Sequence, residues 1–124
     1  MAGKECILTD PKKLREAAAA MVSMFDREIF DYVVVSDSAG AVLGSIVARD
    51  LKSGIVLPCM DVPGGKCIVV GFDLGDGKKV KKQTDKIREK GGTIVKMGFF
   101  QEEASLNTRK TLFRGIPVES VNIL

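Results

Sequence analysis

CIVVGFDLGDGKKV, residues 67–80, is apolar for its first half and then breaks abruptly into Gly, Asp and Lys. A continuous apolar run bounded by turn residues reads as a strand buried on both faces, the kind found in parallel sheets. Residues 66–70, with Phe72, supply that strand. Gly71, Gly75 and Gly77 let the backbone turn tightly or approach another group closely. Lys78, Lys79, Lys81 and Lys82 then open a helical pattern. A helix start carries unpaired N–H groups and the positive end of the helix dipole, so strand, glycine loop and lysine-rich helix together make a candidate anion site. The same residues also suit an ordinary strand-to-helix turn with a solvated lysine face.

Working outward, Val62, Pro63, Gly64 and Gly65 form the turn that leads into this strand. Before it, residues 32–35 are short and β-branched, a buried strand, with Ser36, Asp37, Ser38, Ala39 and Gly40 as its exit loop. Residues 41–51 read as a helix ended by Lys52, Ser53 and Gly54, and residues 55–57 as a strand stopped by Pro58. Asp10 followed by Pro11 is a strong helix start, after which Leu14, Ala17, Ala18, Met21, Val22 and Phe25 recur at helical spacing. Downstream, residues 83–89 continue the lysine helix and Gly91 and Gly92 cap it. Residues 93–99 form a fourth strand with Ile94, Val95 and Phe99 as core candidates. Residues 101–110 carry a weak helix into Leu112 and Phe113, Gly115 breaks it, and residues 116–123 hold a last strand. Strand and helix alternate, which specifies a three-layer α/β fold: a mostly parallel, five-stranded sheet with helices on both faces. The whole of residues 1–124 is expected to be one domain, with an N-terminal helical segment over 1–30 and the α/β core over 31–124.

Composition agrees with one globular domain: 124 residues, 45% hydrophobic and 28% charged. The net charge of +3, from 19 basic against 16 acidic residues, is too modest to indicate a nucleic-acid binder by itself. Cys6, Cys59 and Cys67 lack CxxC spacing and are odd in number, which argues against a disulfide framework or zinc site and for a reducing, cytoplasmic compartment. No apolar run approaches the ~18 residues that span a bilayer, and the N-terminus, with Lys4, Glu5 and Asp10, has no signal-peptide pattern. The chain has no His, which excludes a Ser-His-Asp triad, a Cys-His pair and a His-ligated metal within one chain.

Ligands of open parallel sheets bind beyond the carboxyl ends of the strands, so residues 36–41 and 71–79 are expected to face one crevice. Ser36, Asp37, Ser38 and Gly40 offer hydroxyls, a carboxylate and backbone donors, although Ser and Asp are also the usual helix caps. Asp73 and Asp76 are candidates for Mg²⁺, through water, or for ribose hydroxyls, and equally serve as turn residues.

SDSAGAVLGSIVARDLKSGIVLP, CIVVGFDLGDGKKV and IREKGGTIVKMGFF, in that order, resemble the core of the type I phosphoribosyltransferases, most nearly the orotate and adenine branches. The resemblance covers about residues 31–124. It implies that Ser36, Asp37, Ser38, Ala39 and Gly40 match the family's pyrophosphate loop. Gly75, Asp76, Gly77, Lys78 and Lys79 then match the loop that wraps the 5′-phosphate, where the family uses Thr, Thr, Gly, Gly and Ser or Thr. The departures matter as much. Gly71 and Phe72 stand where the family has the adjacent acidic pair that holds the ribose hydroxyls, with Asp73 displaced by one residue. The family's long lid between the second and third core strands is replaced by residues 59–65, which span at most about 25 Å extended and cannot fold over a nucleotide. The resemblance thus implies a degenerate domain that binds a phosphorylated ribose compound or nucleotide as a homodimer, without efficient transferase activity, and with no catalytic residue assigned. Two alternatives stand beside it. One is a working small phosphoribosyltransferase in which Asp73 and Asp76 replace the acidic pair and a partner subunit completes the site. The other is a non-catalytic module whose lysine helix meets RNA or a protein, the nucleic acid being less favoured. A phosphoacceptor receiver domain is rejected, because only Asp37 follows the first strand and no late lysine fits.

Overall fold

The computed structural model describes residues 4–124. Residues 1–3, the beginning of the expected N-terminal segment, lie outside the described residues. Two helices come first, α1 (Lys4–Thr9) and α2 (Pro11–Phe25). The Asp10 carboxylate caps α2, accepting from the Lys12 and Lys13 amides at 2.9 and 3.3 Å, as the Asp-Pro pair predicts. The separate helix α1 is not anticipated by the sequence pattern.

The core then alternates: β1 (Tyr32–Val35), α3 (Ser38–Asp50), β2 (Gly54–Val56), β3 (Lys66–Asp73), α4 (Lys78–Glu89), β4 (Thr93–Glu102), a 3₁₀ turn (Ala104–Leu106), α5 (Thr108–Leu112) and β5 (Val118–Ile123). The five strands form one sheet in the order β2-β1-β3-β4-β5, and every pairing is parallel. β3 is central and buried along nearly its whole length, which is why it reads as an uninterrupted apolar run.

Side chains alternate across the sheet into two cores. Val33, Val35, Ile68, Val70 and Phe72 meet Ala17, Met21 and Phe25 of α2 and Leu43 and Val47 of α3. Val34, Cys67, Val69, Met97 and Phe99 meet Val80 and Ile87 of α4 and Phe113 beyond α5. The three-layer α/β architecture is therefore as expected from the alternation.

Several boundaries move: β3 runs on through Gly71 to Asp73, so Gly71 lies in the strand and not in the loop, and β5 starts at Val118 rather than at residue 116. Helix α3 begins at Ser38, not at residue 41, because Asp37 caps it and turns the small residues Ala39 and Gly40 inward. The polar pair Gln101 and Glu102 belongs to β4 and not to the following weak helix. Both are buried, with Gln101 paired to Asp73 in register and Glu102 held by Arg109 and Ser120.

Candidate functional site

The carboxyl ends of β1 and β3 lie side by side, so the loops that leave them converge. A hollow of about 340 Å³ is lined by Ser36 and Asp37 from the first loop and by Asp73, Gly75, Asp76, Lys78 and Lys79 from the second. A neighbouring hollow of about 320 Å³, lined by Ser36, Asp37, Ser38, Pro58, Lys79, Lys82, Gln83 and Lys86, continues it toward β2. The two share Ser36, Asp37 and Lys79, so the expectation of one crevice between the loops matches the geometry.

Each acidic residue in the crevice already has backbone work. The buried Asp37 carboxylate accepts from the Gly40 amide and from the Phe72 amide at 3.2 Å, so it ties the start of α3 to β3. Ala39 and Gly40 are buried in the first turn of α3, and a side chain on Gly40 would lie 2.8 Å from the Gly71 backbone. Asp73 accepts from the Gly75 amide at 2.9 Å and from the Gln101 amide group at 2.9 Å. Asp76 accepts from the Lys78 amide at 3.0 Å and faces the Lys78 ammonium at 3.8 Å. Among the described residues no group of three or more His, Cys, Asp and Glu side chains could hold a metal ion. Asp73 and Asp76 therefore do not make a metal site from protein ligands alone, and a Mg²⁺ beside them would depend on water or ligand oxygens.

The glycine loop is shaped for its turn. Gly75 and Gly77 both adopt positive φ, 54° and 81°, a region that favours glycine. Gly77 is also the N-cap of α4 and contributes no side-chain hydrogen bond there. A Cβ on Gly77 would stand 2.6 Å from Thr108 and 2.8 Å from Leu112, so α5 packs directly on it, while the Thr108 hydroxyl donates to the Gly75 carbonyl at 2.6 Å. Lys78 and Lys79 are exposed at the start of the 12-residue α4, adding charge to the positive helix end.

Where the family resemblance places an acidic pair, the geometry forbids one. Phe72 is wholly buried on the α2/α3 side and its ring lies 5.1 Å from that of Phe100. A Cβ on Gly71 would come within 2.4 Å of the Ser36 hydroxyl and 2.8 Å of Phe99. The connection over residues 57–65 is fixed as well as short. Val62 is buried, the Tyr32 hydroxyl donates to the Pro63 carbonyl, and Lys86 donates to the Pro58 carbonyl at 3.1 Å. Burial is the main cause that pushes the Tyr32 hydroxyl up to about 12 and the Cys67 thiol beside it up to about 11, so both stay protonated at neutral pH.

Gln83, Lys86 and Pro58 join the crevice without having been singled out from the sequence. Gln83 carried a readable signal. It lies with Val80, Thr84 and Ile87 on the buried face of α4, a polar side chain at a core position.

The fold and crevice define a parallel α/β protein with its candidate ligand site at the carboxyl edge of the sheet. No family model matches the chain. In sequence it is 28% identical over 134 residues to an adenine phosphoribosyltransferase of Agathobacter rectalis, covering 86% of this chain and 77% of the relative. In structure it matches an adenine phosphoribosyltransferase of Thermoanaerobacter pseudethanolicus with a TM-score of 0.85 at 18% identity, over 95% of this chain and 84% of the other. An orotate phosphoribosyltransferase of Aeropyrum pernix matches with a TM-score of 0.83 at 18% identity, over 94% and 74%. A Trypanosoma brucei adenine phosphoribosyltransferase, solved with AMP, pyrophosphate and ribose-5-phosphate, matches with 0.85 at 13% identity, over 99% and 69%. The structural likeness carries the fold and the sequence likeness points the same way: the chain has the fold of the type I phosphoribosyltransferases and resembles them in sequence.

Proposed function

We propose that the crevice binds a phosphorylated ribose compound or nucleotide, and that the chain transfers phosphoribosyl groups weakly or not at all. The observation that carries the reading is the start of α4: a positive helix end capped by a bare glycine, flanked by Lys78 and Lys79, opening into a hollow of about 340 Å³. The weak chemistry follows from what surrounds it. Glycosyl transfer needs a held ribose and exclusion of water. Here the ribose-clamping positions are Gly71 and a buried Phe72, and the connection in the lid's place is pinned by Tyr32 and Lys86. Three free cysteines among the described residues support a reducing, cytoplasmic setting. Mg²⁺ would enter with a ligand's pyrophosphate. The homodimer belongs to this reading and is checked by sedimentation.

Calorimetry with phosphoribosyl pyrophosphate, ribose 5-phosphate and nucleoside monophosphates, with and without Mg²⁺, tests it. Gly77→Val is a poor control, since α5 packs on Gly77; the exposed pair Lys78→Ala/Lys79→Ala is the better one. Saturable binding weakened about tenfold or more in that variant supports the phosphate site; no binding by any of these compounds overturns it. The sequence likeness to an adenine phosphoribosyltransferase favours a second reading, a working small transferase. Turnover of phosphoribosyl pyrophosphate with a nucleobase, lost in Asp73→Asn, would establish that reading instead.

A further inference from the structure

Two polar side-chain atoms deep in the crevice have no partner. The Ser36 hydroxyl and the Gln83 carbonyl oxygen are buried and unpaired, in residues that are only 4% exposed. The Gln83 amide is not free to turn over, because its N–H group donates to the Val35 carbonyl at 3.2 Å; its oxygen is therefore the end left open. A buried acceptor without a donor is costly and calls for an explanation. Both residues line the hollow of about 320 Å³ toward β2, whose outer wall carries the cations of Lys79, Lys82 and Lys86. Of these, Lys79 and Lys82 are exposed and their long stems are free to move aside for a ligand.

We infer that this second hollow is a hydroxyl-reading subsite and that Gln83 is its specificity residue: the Gln83 carbonyl accepts from a hydroxyl of a phosphorylated sugar whose phosphate sits at the start of α4, with the Ser36 hydroxyl as a second contact. The inference rests on the proposed phosphate site. It assigns to a neutral amide on α4 the sugar recognition that Gly71 and Phe72 on β3 cannot provide. A carboxylate there would be repelled by the Asp37 charge lining the same hollow, whereas an amide oxygen accepts without adding charge. The lysines keep the ligand class anionic.

The test compares ribose 5-phosphate with inorganic phosphate by calorimetry on the wild type, Gln83→Leu and Ser36→Ala. The Ser36 hydroxyl makes no hydrogen bond within the protein, so Ser36→Ala should leave the melting temperature unchanged, which keeps the test open if Gln83→Leu, having lost its bond to Val35, fails to fold. The wild type is expected to prefer the sugar phosphate by about tenfold. Gln83→Leu is expected to lose that preference while still binding inorganic phosphate, and Ser36→Ala to reduce it severalfold. Full preference retained in the folded variants overturns the hydroxyl-reading subsite and leaves the phosphate site standing. A wild type that binds neither compound overturns both.

Discussion

Asp76 concentrates the ambiguity of the phosphate loop. Its carboxylate accepts from the Lys78 amide and lies beside the Lys78 ammonium, two groups that an incoming phosphate would use. The side chain is 62% exposed, so releasing it costs little, yet an anion must compete with it. Asp76→Ala is therefore expected to tighten inorganic phosphate binding by about threefold to tenfold, as a like charge leaves and a donor is freed. Weaker binding in a calorimetric titration would instead make Asp76 a ligand-contacting residue, as the family resemblance implies. Gly71 allows a prediction of opposite kind. Its missing side chain is what lets the Ser36 hydroxyl and the Phe99 ring close over β3. Gly71→Ala is expected to cost about 1–3 kcal/mol by overpacking, read from the urea midpoint, and an acidic residue there would not restore a ribose clamp. Stability equal to wild type would mean that Ser36 yields easily and that the first acidic position is recoverable.

At the scale of elements, a partly buried ion pair helps to close the far end of the sheet. Arg109 on α5 donates to Glu102 at the end of β4 at 2.8 Å and to the Val118 carbonyl of β5 at 2.9 Å. The Ser120 hydroxyl adds a bond to Glu102 at 2.8 Å. The Arg109 hydrogen bonds hold the Glu102 carboxyl below its ordinary value of 4.5. A depressed folded-state value contributes stability that is present above the unfolded value and lost as pH falls through the folded one. The Glu102→Gln variant is expected to be about 1–3 kcal/mol less stable at pH 7, with the gap to wild type closing below about pH 4. Parallel unfolding curves for the two proteins at every pH would contradict this. The pair also shows where sequence legibility stops. β1 and β3 were readable because strands buried on both faces must be apolar throughout. Glu102 and Gln101 were not, because their burial depends on Arg109 and Asp73, partners that the linear pattern does not connect to them. Helix α1 went unread for a related reason: KECILT is short and carries no cap signal. In the site, the convergence of the two loops was legible from strand order alone. That Asp37 caps a helix and that Asp73 and Asp76 serve their turns was one of the two readings open in the sequence; the reach of Asp37 to the Phe72 amide and of Asp73 to Gln101 was not legible.

On the scale of the whole molecule, the phosphate reading and the lysine-surface reading make opposite demands on salt. The chain carries a net charge of +3, and α4 alone bears Lys78, Lys79, Lys81, Lys82, Lys86 and Arg88 against Asp85 and Glu89. Part of that face has local partners: Lys81 pairs with Asp85 at 2.8 Å, and Lys86 donates to the Pro58 carbonyl. Diffuse attraction for a polyanion would fade with any salt, because exposed charges are screened over about 10 Å at 0.1 M. A site built on a helix end and placed lysines distinguishes phosphate from chloride at equal ionic strength. Binding to the folded state alone raises stability by mass action, by about 2.7 kcal/mol at a hundredfold excess over the dissociation constant. The melting temperature is therefore expected to climb with inorganic phosphate by several degrees beyond its response to matched sodium chloride, and the excess to vanish in Lys78→Ala/Lys79→Ala. Because the N-terminus of α4 is packed against α5 and tied through Thr108 to the Gly75 carbonyl, a ligand there steadies two helices and the central strand at once. Equal responses to phosphate and chloride would show that the glycine loop serves this packing alone, and would move the interaction-module reading to the front.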